Sequence, residues 1–349
     1  MKTYNLCLLG FGNVGRALLI LLQEKTAELR ERYQIEWRLT GVATRRLGWL
    51  ANPDGLDVSA LLAGQFELLT TVASGDDVRD WLSAARADVL FELTSLNVDT
   101  GQPAIEHIRA ALEHGAHAIT ANKGTVVHGY RELQALARRQ RRSFLFEATV
   151  MGGAPIFSLF ASSLPASNII RFRGVVNSTS NVILEEIERG KSLEQAIQTA
   201  QELGIAETDP SADVDGWDAA VKVSAIATVL MDTPTPLANI EVEGIRHLDA
   251  EQIRAARAAG TPYKLVAQIE KIGEGIRAFV KPQRLSPPDP LAAVTAGSML
   301  AHFELDTLPG LTITLDVPDY GPAGPLGPAV TAYDVLADFI RAVQSEQRG

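Results

Sequence analysis

The sequence predicts an α/β protein built as a doubly wound parallel sheet with a second, α+β domain. Three observations predict it. The 349 residues suit two domains of roughly 150 residues each. Between Lys2 and Val150, short apolar runs alternate with amphipathic stretches, the rhythm of βαβ units around a parallel sheet. Beyond Val150 longer strand-like runs appear, separated by two helices.

In the first part, strands are expected at Tyr4–Leu9, Trp37–Ala43, Ala87–Leu93, His117–Thr120 and Ser143–Phe146. The helix between the third and fourth is punctuated by Pro103, suited to a first turn, and by Gly115, which closes the end after Leu112. The basic run Arg138 to Arg142 falls at the C-terminal end of an expected helix, where cations favour the dipole, so it reads as a solvated end. In the second part Asn168–Asn177, Lys264–Glu270, Ile276–Arg284 and Leu311–Val317 read as strands, and Leu193–Leu203 and Trp217–Met231 as helices. Ser192 and Gln195 have capping-box spacing, and Gly204 ends that helix. A Pro/Gly-rich segment from Gly321 precedes a helix pattern at Ala332–Val343. The expected domains are 1–150, with 321–349 packing back onto it, and 151–320.

Composition narrows the function classes. Apolar residues at 46% and charged residues at 21% exclude disorder. A formal net charge of −10 repels phosphate backbones and anionic membranes, which argues against nucleic-acid and membrane partners. Cys7 is the single cysteine and can form neither an intramolecular disulfide nor a thiolate zinc cage, which fits a reducing compartment. No apolar run reaches the roughly eighteen residues of a membrane helix, and the glycine-rich start does not read as a cleavable leader. A cytoplasmic location is the expectation.

Gly10-Phe11-Gly12-Asn13-Val14-Gly15 spells G-x-G-x-x-G directly after a strand and before the apolar helix Ala17–Leu22. The first glycine permits the turn, the second lets backbone approach a pyrophosphate, and the third lets helix and strand pack closely. A dinucleotide site on a Rossmann-type sheet follows. The second strand runs into Thr44-Arg45-Arg46, where an NAD-selective sheet carries an acid for the ribose 2′-hydroxyl. Two guanidiniums there suit a 2′-phosphate, so NADP is expected ahead of NAD; a basic start to a solvated loop is the competing reading.

Lys123 follows the strand His117–Thr120, at the strand end where open α/β sheets bind ligands; a surface-loop lysine is the alternative. Lys222 lies in a stretch, Trp217 to Ala227, that is apolar on nearly every face and so reads as buried. Charged residues there need partners or a cavity, and Asp218 and Lys222, at i and i+4, share one face. Upstream, Glu207, Asp209, Asp213 and Asp215 crowd into nine residues. Their spacing is not that of an EF-hand; the loop suits a cation or an ammonium group, with a solvated acidic loop as the competitor.

Gly-Phe-Gly-Asn-Val-Gly at 10–15, Ala-Asn-Lys at 121–123, Glu-Ala-Thr-Val at 147–150, Asn-Ser-Thr-Ser-Asn-Val-Ile-Leu at 177–184 and the block from Gly204 to Lys222 together resemble homoserine dehydrogenase, over nearly the whole chain. The resemblance implies NAD(P)-dependent interconversion of L-homoserine and L-aspartate 4-semialdehyde, in threonine and methionine biosynthesis. It also implies a homodimer whose second domain carries catalysis and dimerisation. Lys222 is then the proton-transfer lysine, with Asp218 beside it in the substrate site. Glu207 would hold the substrate's amino group, Lys123 would sit near nicotinamide and substrate, and Thr94 and Ser95 would line the cofactor. Glu147, Val150, Gly152 and Ala154 would form a site for a monovalent cation such as sodium, largely through backbone carbonyls. The family usually has Asn-Gly-Thr where Asn177-Ser178-Thr179 stands, and a glycine cluster where this chain has the proline-laden Gly321 to Pro328. The form implied is a short one without a C-terminal regulatory domain.

Reducing an aldehyde requires a hydride and a proton for the developing alkoxide, and a lysine ammonium supplies charge and proton together. Aspartate-semialdehyde dehydrogenase needs a thiolate nucleophile, and Cys7 inside the first strand is no candidate. Two other readings stay open: another amino-aldehyde or amino-acid reductase on the same scaffold, and a catalytically silent NAD(P)-binding sensor.

Overall fold

The computed structural model describes residues 1–317 and 327–348. The proline-laden segment expected from Gly321 lies, as far as residue 326, outside the described residues. In chain order the strands are β1 (Lys2–Leu9), β2 (Ile35–Thr44), β3 (Gly48–Ala51), β4 (Val89–Glu92), β5 (His117–Thr120), β6 (Phe144–Leu145), β7 (Ile169–Val175), β8 (Glu241–Val242), β9 (Tyr263–Ile272), β10 (Gly275–Arg284), β11 (Met299–Leu305) and β12 (Leu311–Leu315). They form two six-stranded sheets, ordered β3-β2-β1-β4-β5-β6 and β12-β11-β7-β9-β10-β8. The chain divides into two units, one of residues 1–153 with 328 onward, the other of 154–327.

In the first unit β1, β2, β4, β5 and β6 run parallel. Every residue of β4 and β5 is buried, as in a sheet covered on both faces. The order reverses between β1 and β4, which opens a switch-point crevice at the carboxyl ends of those strands. One strand departs from the parallel expectation. β3 pairs antiparallel with β2, because the turn after Thr44 is tight: the Leu47 N–H donates to Thr44 Oγ1 at 2.9 Å. Pro103 is the N-cap of the helix Ala104–His114 rather than a first-turn residue, and Gly115 closes it at φ 90°. The helix Gly327–Arg348 outruns the expected Ala332–Val343 at both ends. Its Ala332, Val335, Leu336, Phe339 and Val343, spaced by three and four, join the cluster of Tyr4, Leu6, Leu18 and Phe91.

In the second unit β7, β9, β10, β11 and β12 are antiparallel neighbours, and β8 adds parallel to β10. The helices Ser178–Glu188, Trp217–Leu230 and Ala250–Ala258 pack on β9. Sequence reading missed β11, although its Ala301, Phe303 and Leu305 are buried while His302 and Glu304 between them are not, a period-two pattern. Among the described residues no helix is long and apolar enough to cross a membrane.

Candidate active site

β1 ends at Leu9, and the chain turns at Gly10 with φ 99°. A Cβ at Gly10 would lie 2.5 Å from the Leu93 carbonyl oxygen, and one at Gly15 would lie 2.7 Å from the Gly10 oxygen. Those two glycines serve close packing. Gly12 differs: a Cβ there would meet nothing within 4 Å, and Gly12 is the N-cap of the helix Asn13–Glu24 with no side chain capping it. Open space before unsatisfied N–H groups at a positive helix end, with Asn13 and Val14 in the first turn, fits a pyrophosphate. Phe11 lies beside the loop with its ring 4.6 Å from the Arg16 guanidinium. Arg45 and Arg46 are exposed in the β2–β3 turn, one step beyond the strand end where sequence placed them.

Two further turns leave the carboxyl ends of β4 and β5. After β4, the Thr94 N–H donates to Glu92 Oε1 at 3.1 Å, and the Thr94 hydroxyl contacts the same oxygen. After β5, Asn122 caps the helix Lys123–Gln140, its Oδ1 accepting the Gly124 N–H at 3.1 Å. Asn122 Nδ2 also donates to the carbonyls of Thr94 and Ser95, each at 3.3 Å. Lys123, half-buried, is the first residue of that helix, where the dipole disfavours a cation. A lysine kept there points to an anionic or electron-rich neighbour.

In the second unit the helix Trp217–Leu230 buries every residue from Ala219 to Thr228, Lys222 included. Lys222 Nζ donates to the Val176 carbonyl at 2.6 Å and pairs with Asp218 Oδ2 at 2.8 Å. Asn177, the N-cap of the helix Ser178–Glu188, donates from one amide nitrogen to Asp213 Oδ1 at 2.6 Å and to Asp218 Oδ2 at 2.9 Å. Burial, and then the charge of Asp218, pushes the Asp213 carboxyl above its ordinary range. The four acids of the loop do not converge on a cation. Glu207 is exposed, Asp209 accepts the Ser211 N–H, Asp213 joins Asn177, and Asp215 pairs with Arg246 at 2.8 Å.

The family model for homoserine dehydrogenase matches residues 155–340, and that for the homoserine dehydrogenase NAD binding domain matches 10–147. An NAD(+)-dependent homoserine dehydrogenase from Pseudomonas canavaninivorans is 34% identical, covering 100% of this chain and 98% of its own. The chain belongs to the homoserine dehydrogenase family. A homoserine dehydrogenase from Methanocaldococcus jannaschii is 30% identical over 99% of this chain and 100% of its own. A hyperthermophilic archaeal homoserine dehydrogenase solved in complex with NADPH superposes at TM-score 0.78, 29% identical over 98% of each chain. That from Thiobacillus denitrificans superposes at 0.81, 29% identical over 100% of this chain and 75% of its own. Like the family, the protein is an NAD(P)-dependent oxidoreductase.

In this chain the first unit gathers the glycine loop, Thr94, Ser95 and Lys123 at the carboxyl edge of its sheet, and the second gathers Lys222 with Asp218. Glu147 and the residues after it are placed differently from a side-chain metal cage. The Glu147 carboxylate pairs with Arg341 at 3.0 Å, so its carbonyl is what it has to offer a cation. Val150 is buried, Gly152 lies against Val330 and Thr331, and Ala154 begins the second unit. Among the described residues no three His, Cys, Asp or Glu side chains are grouped to hold a metal. Two residues that organise these sites were given no role by the sequence, Asn177 and Glu92. Asn177 reads as an ordinary helix cap, and Glu92 as the tail of an apolar run.

Proposed function

We propose that the protein interconverts L-homoserine and L-aspartate 4-semialdehyde, with Lys222 moving the proton. The observation that carries this is the ligation of Lys222. Val176 and Asp218 take two of its three N–H donors, which leaves one for a substrate oxygen. In the reducing direction Lys222 donates that proton to the alkoxide as it forms; in the oxidising direction it receives the hydroxyl proton. Bound NAD(P) supplies or accepts the hydride. Asp218 keeps the ammonium oriented, and Glu207, exposed on its loop, holds the substrate's amino group. Thr94, Ser95 and Lys123 line the nicotinamide end of the cofactor, and the Glu147 carbonyl with Val150, Gly152 and Ala154 takes a monovalent cation such as sodium. The protein is a cytoplasmic homodimer in this reading. Purified protein given L-homoserine and either cofactor should reduce the nicotinamide, faster at alkaline pH. No reduction with either cofactor at any pH would overturn the function, and a monomer by light scattering would overturn the dimer.

NADP is the preferred cofactor in this proposal. Its support is the pair of exposed guanidiniums, Arg45 and Arg46, in the β2–β3 turn. The solved archaeal relative holds NADPH, whereas the Pseudomonas relative is named for NAD, so the test must be on this chain. Replacing both arginines with Ala should weaken NADP at least about tenfold and NAD little. Equal losses would mean that the arginines hold the loop or a shared phosphate.

A further inference from the structure

A carboxyl group at the end of a wholly buried strand is costly to keep ionised. Glu92, the last residue of β4, is 0% exposed, and no Lys, Arg or His among the described residues pairs with it. Its two oxygens reach in opposite directions. Oε1 takes the Thr94 N–H and hydroxyl, in the turn after β4. Oε2 lies 2.9 Å from Thr120 Oγ1, at the end of β5. Thr120 Oγ1 accepts the Asn122 N–H at 2.9 Å, and Asn122 returns to the first turn through the Thr94 and Ser95 carbonyls. The circuit is closed and runs through one carboxyl group.

Its hydrogen-bond partners suit a neutral acid. Thr120 has a single hydroxyl proton, yet the Glu92 carbonyl at 3.0 Å and Oε2 both stand ready to accept it. A proton on Oε2 satisfies every group: Oε2–H donates to Thr120 Oγ1, whose own proton goes to the Glu92 carbonyl. Burial favours the same form, holding the carboxyl above its ordinary range against the pull of the threonine hydrogen bonds.

We propose that Glu92 is a positioning residue for this enzyme: as a neutral acid it clamps the turn after β4 to the turn after β5, holding two walls of the cofactor site in register. It rests on the function proposed above, in which Thr94, Ser95 and Lys123 face the cofactor. Glu92→Ala removes the clamp, Glu92→Gln keeps a neutral group of the same shape that can donate to Thr120, and Thr120→Val removes one arm at nearly constant volume. The Ala variant should raise KM for the cofactor about tenfold or more while KM for homoserine changes less than about threefold. The Gln variant should return the cofactor KM to within about threefold of wild type, and Thr120→Val should fall between. If Gln is as damaging as Ala, or both KM values rise together, the clamp is wrong. Should Glu92→Ala fail to fold, amide exchange on cofactor-free Thr120→Val decides the matter. Faster exchange at the Thr94 amide, which Glu92 Oε1 holds on the other arm, supports the clamp, and unchanged exchange there overturns it. Adding NADP to the wild type separates the two layers: no protection of residues 94, 95 or 124 would sink the underlying cofactor reading, whatever the clamp variants do.

Discussion

Lys222 and Asp218 are held by a neighbour that touches both carboxylates of the site. The single amide nitrogen of Asn177 meets Asp213 and Asp218 together, and its oxygen caps the next helix through Ser180 at 2.8 Å. Lys222→Ala should lower kcat by about 10²–10⁴ with cofactor affinity nearly unchanged, the range for a positioned acid or base; a change of only a few fold would make Lys222 structural. Asn177→Ala should lower kcat/KM for homoserine at least about tenfold, because two acids then repel without a donor between them, and should cost about 1 kcal/mol of stability through the lost cap. Loss of stability with unchanged kcat/KM would leave Asn177 as a cap alone. The Lys222–Asp218 pair was legible because an i, i+4 pair in an otherwise apolar helix has few bland explanations. Asn177 was not, since its partners stand 36 and 41 residues further along the chain, and an Asn before a helix already has a reason to be there.

The glycine loop, β4 and β5 make one functional edge, and its glycines separate by what a methyl group would meet. Gly12 has φ −89°, open to any residue, and faces empty space, whereas Gly10 is left-handed and sits against Leu93. Gly12→Ala should therefore leave the melting temperature within about 1–2 °C of wild type and raise cofactor KM about tenfold or more. Gly10→Ala should destabilise the fold by about 1–3 kcal/mol before any question of binding arises. Equal destabilisation by both variants, measured by thermal unfolding, would remove Gly12 from the binding surface. The motif announced this edge because strand, glycine spacing and helix agree locally. The β2–β3 hairpin escaped notice: Gly48 to Ala51 is four residues, and nothing in a run that short separates an antiparallel return from a loop.

At the scale of the whole molecule, the chain leaves its first unit after Gly153 and comes back at Pro328, and carboxyl groups fasten the return to the exit. Asp334 Oδ2 accepts the Gly153 N–H at 2.9 Å, and Asp338 Oδ2 accepts the Glu147 N–H at 2.9 Å. Arg341 pairs with both Glu147 and Asp338. One guanidinium thus pairs with two of the three acids gathered here. Burial is the main cause that pushes Asp334 up from 3.8 to about 7, with the charges of Glu147 and Asp338 adding to it, and burial pushes Asp338 to about 6. Between pH 3.8 and about 7 the folded chain holds protons that the unfolded chain has released, so this contribution to stability is complete at the acid end and lost as pH rises through about 7. His117, which burial pushes down to about 4, opposes the trend in part of that range, so the wild-type curve alone does not isolate the acids. The difference between two proteins does. Asp334→Asn keeps the acceptor for Gly153 and cannot ionise, so its melting temperature relative to wild type should climb by at least about 2 °C from pH 4 to pH 7 and level off above. Parallel melting curves across that range would mean that Asp334 ionises in the folded protein as readily as in the unfolded chain, leaving the Asp338 and Arg341 contacts to fasten the return of the C-terminal helix without it.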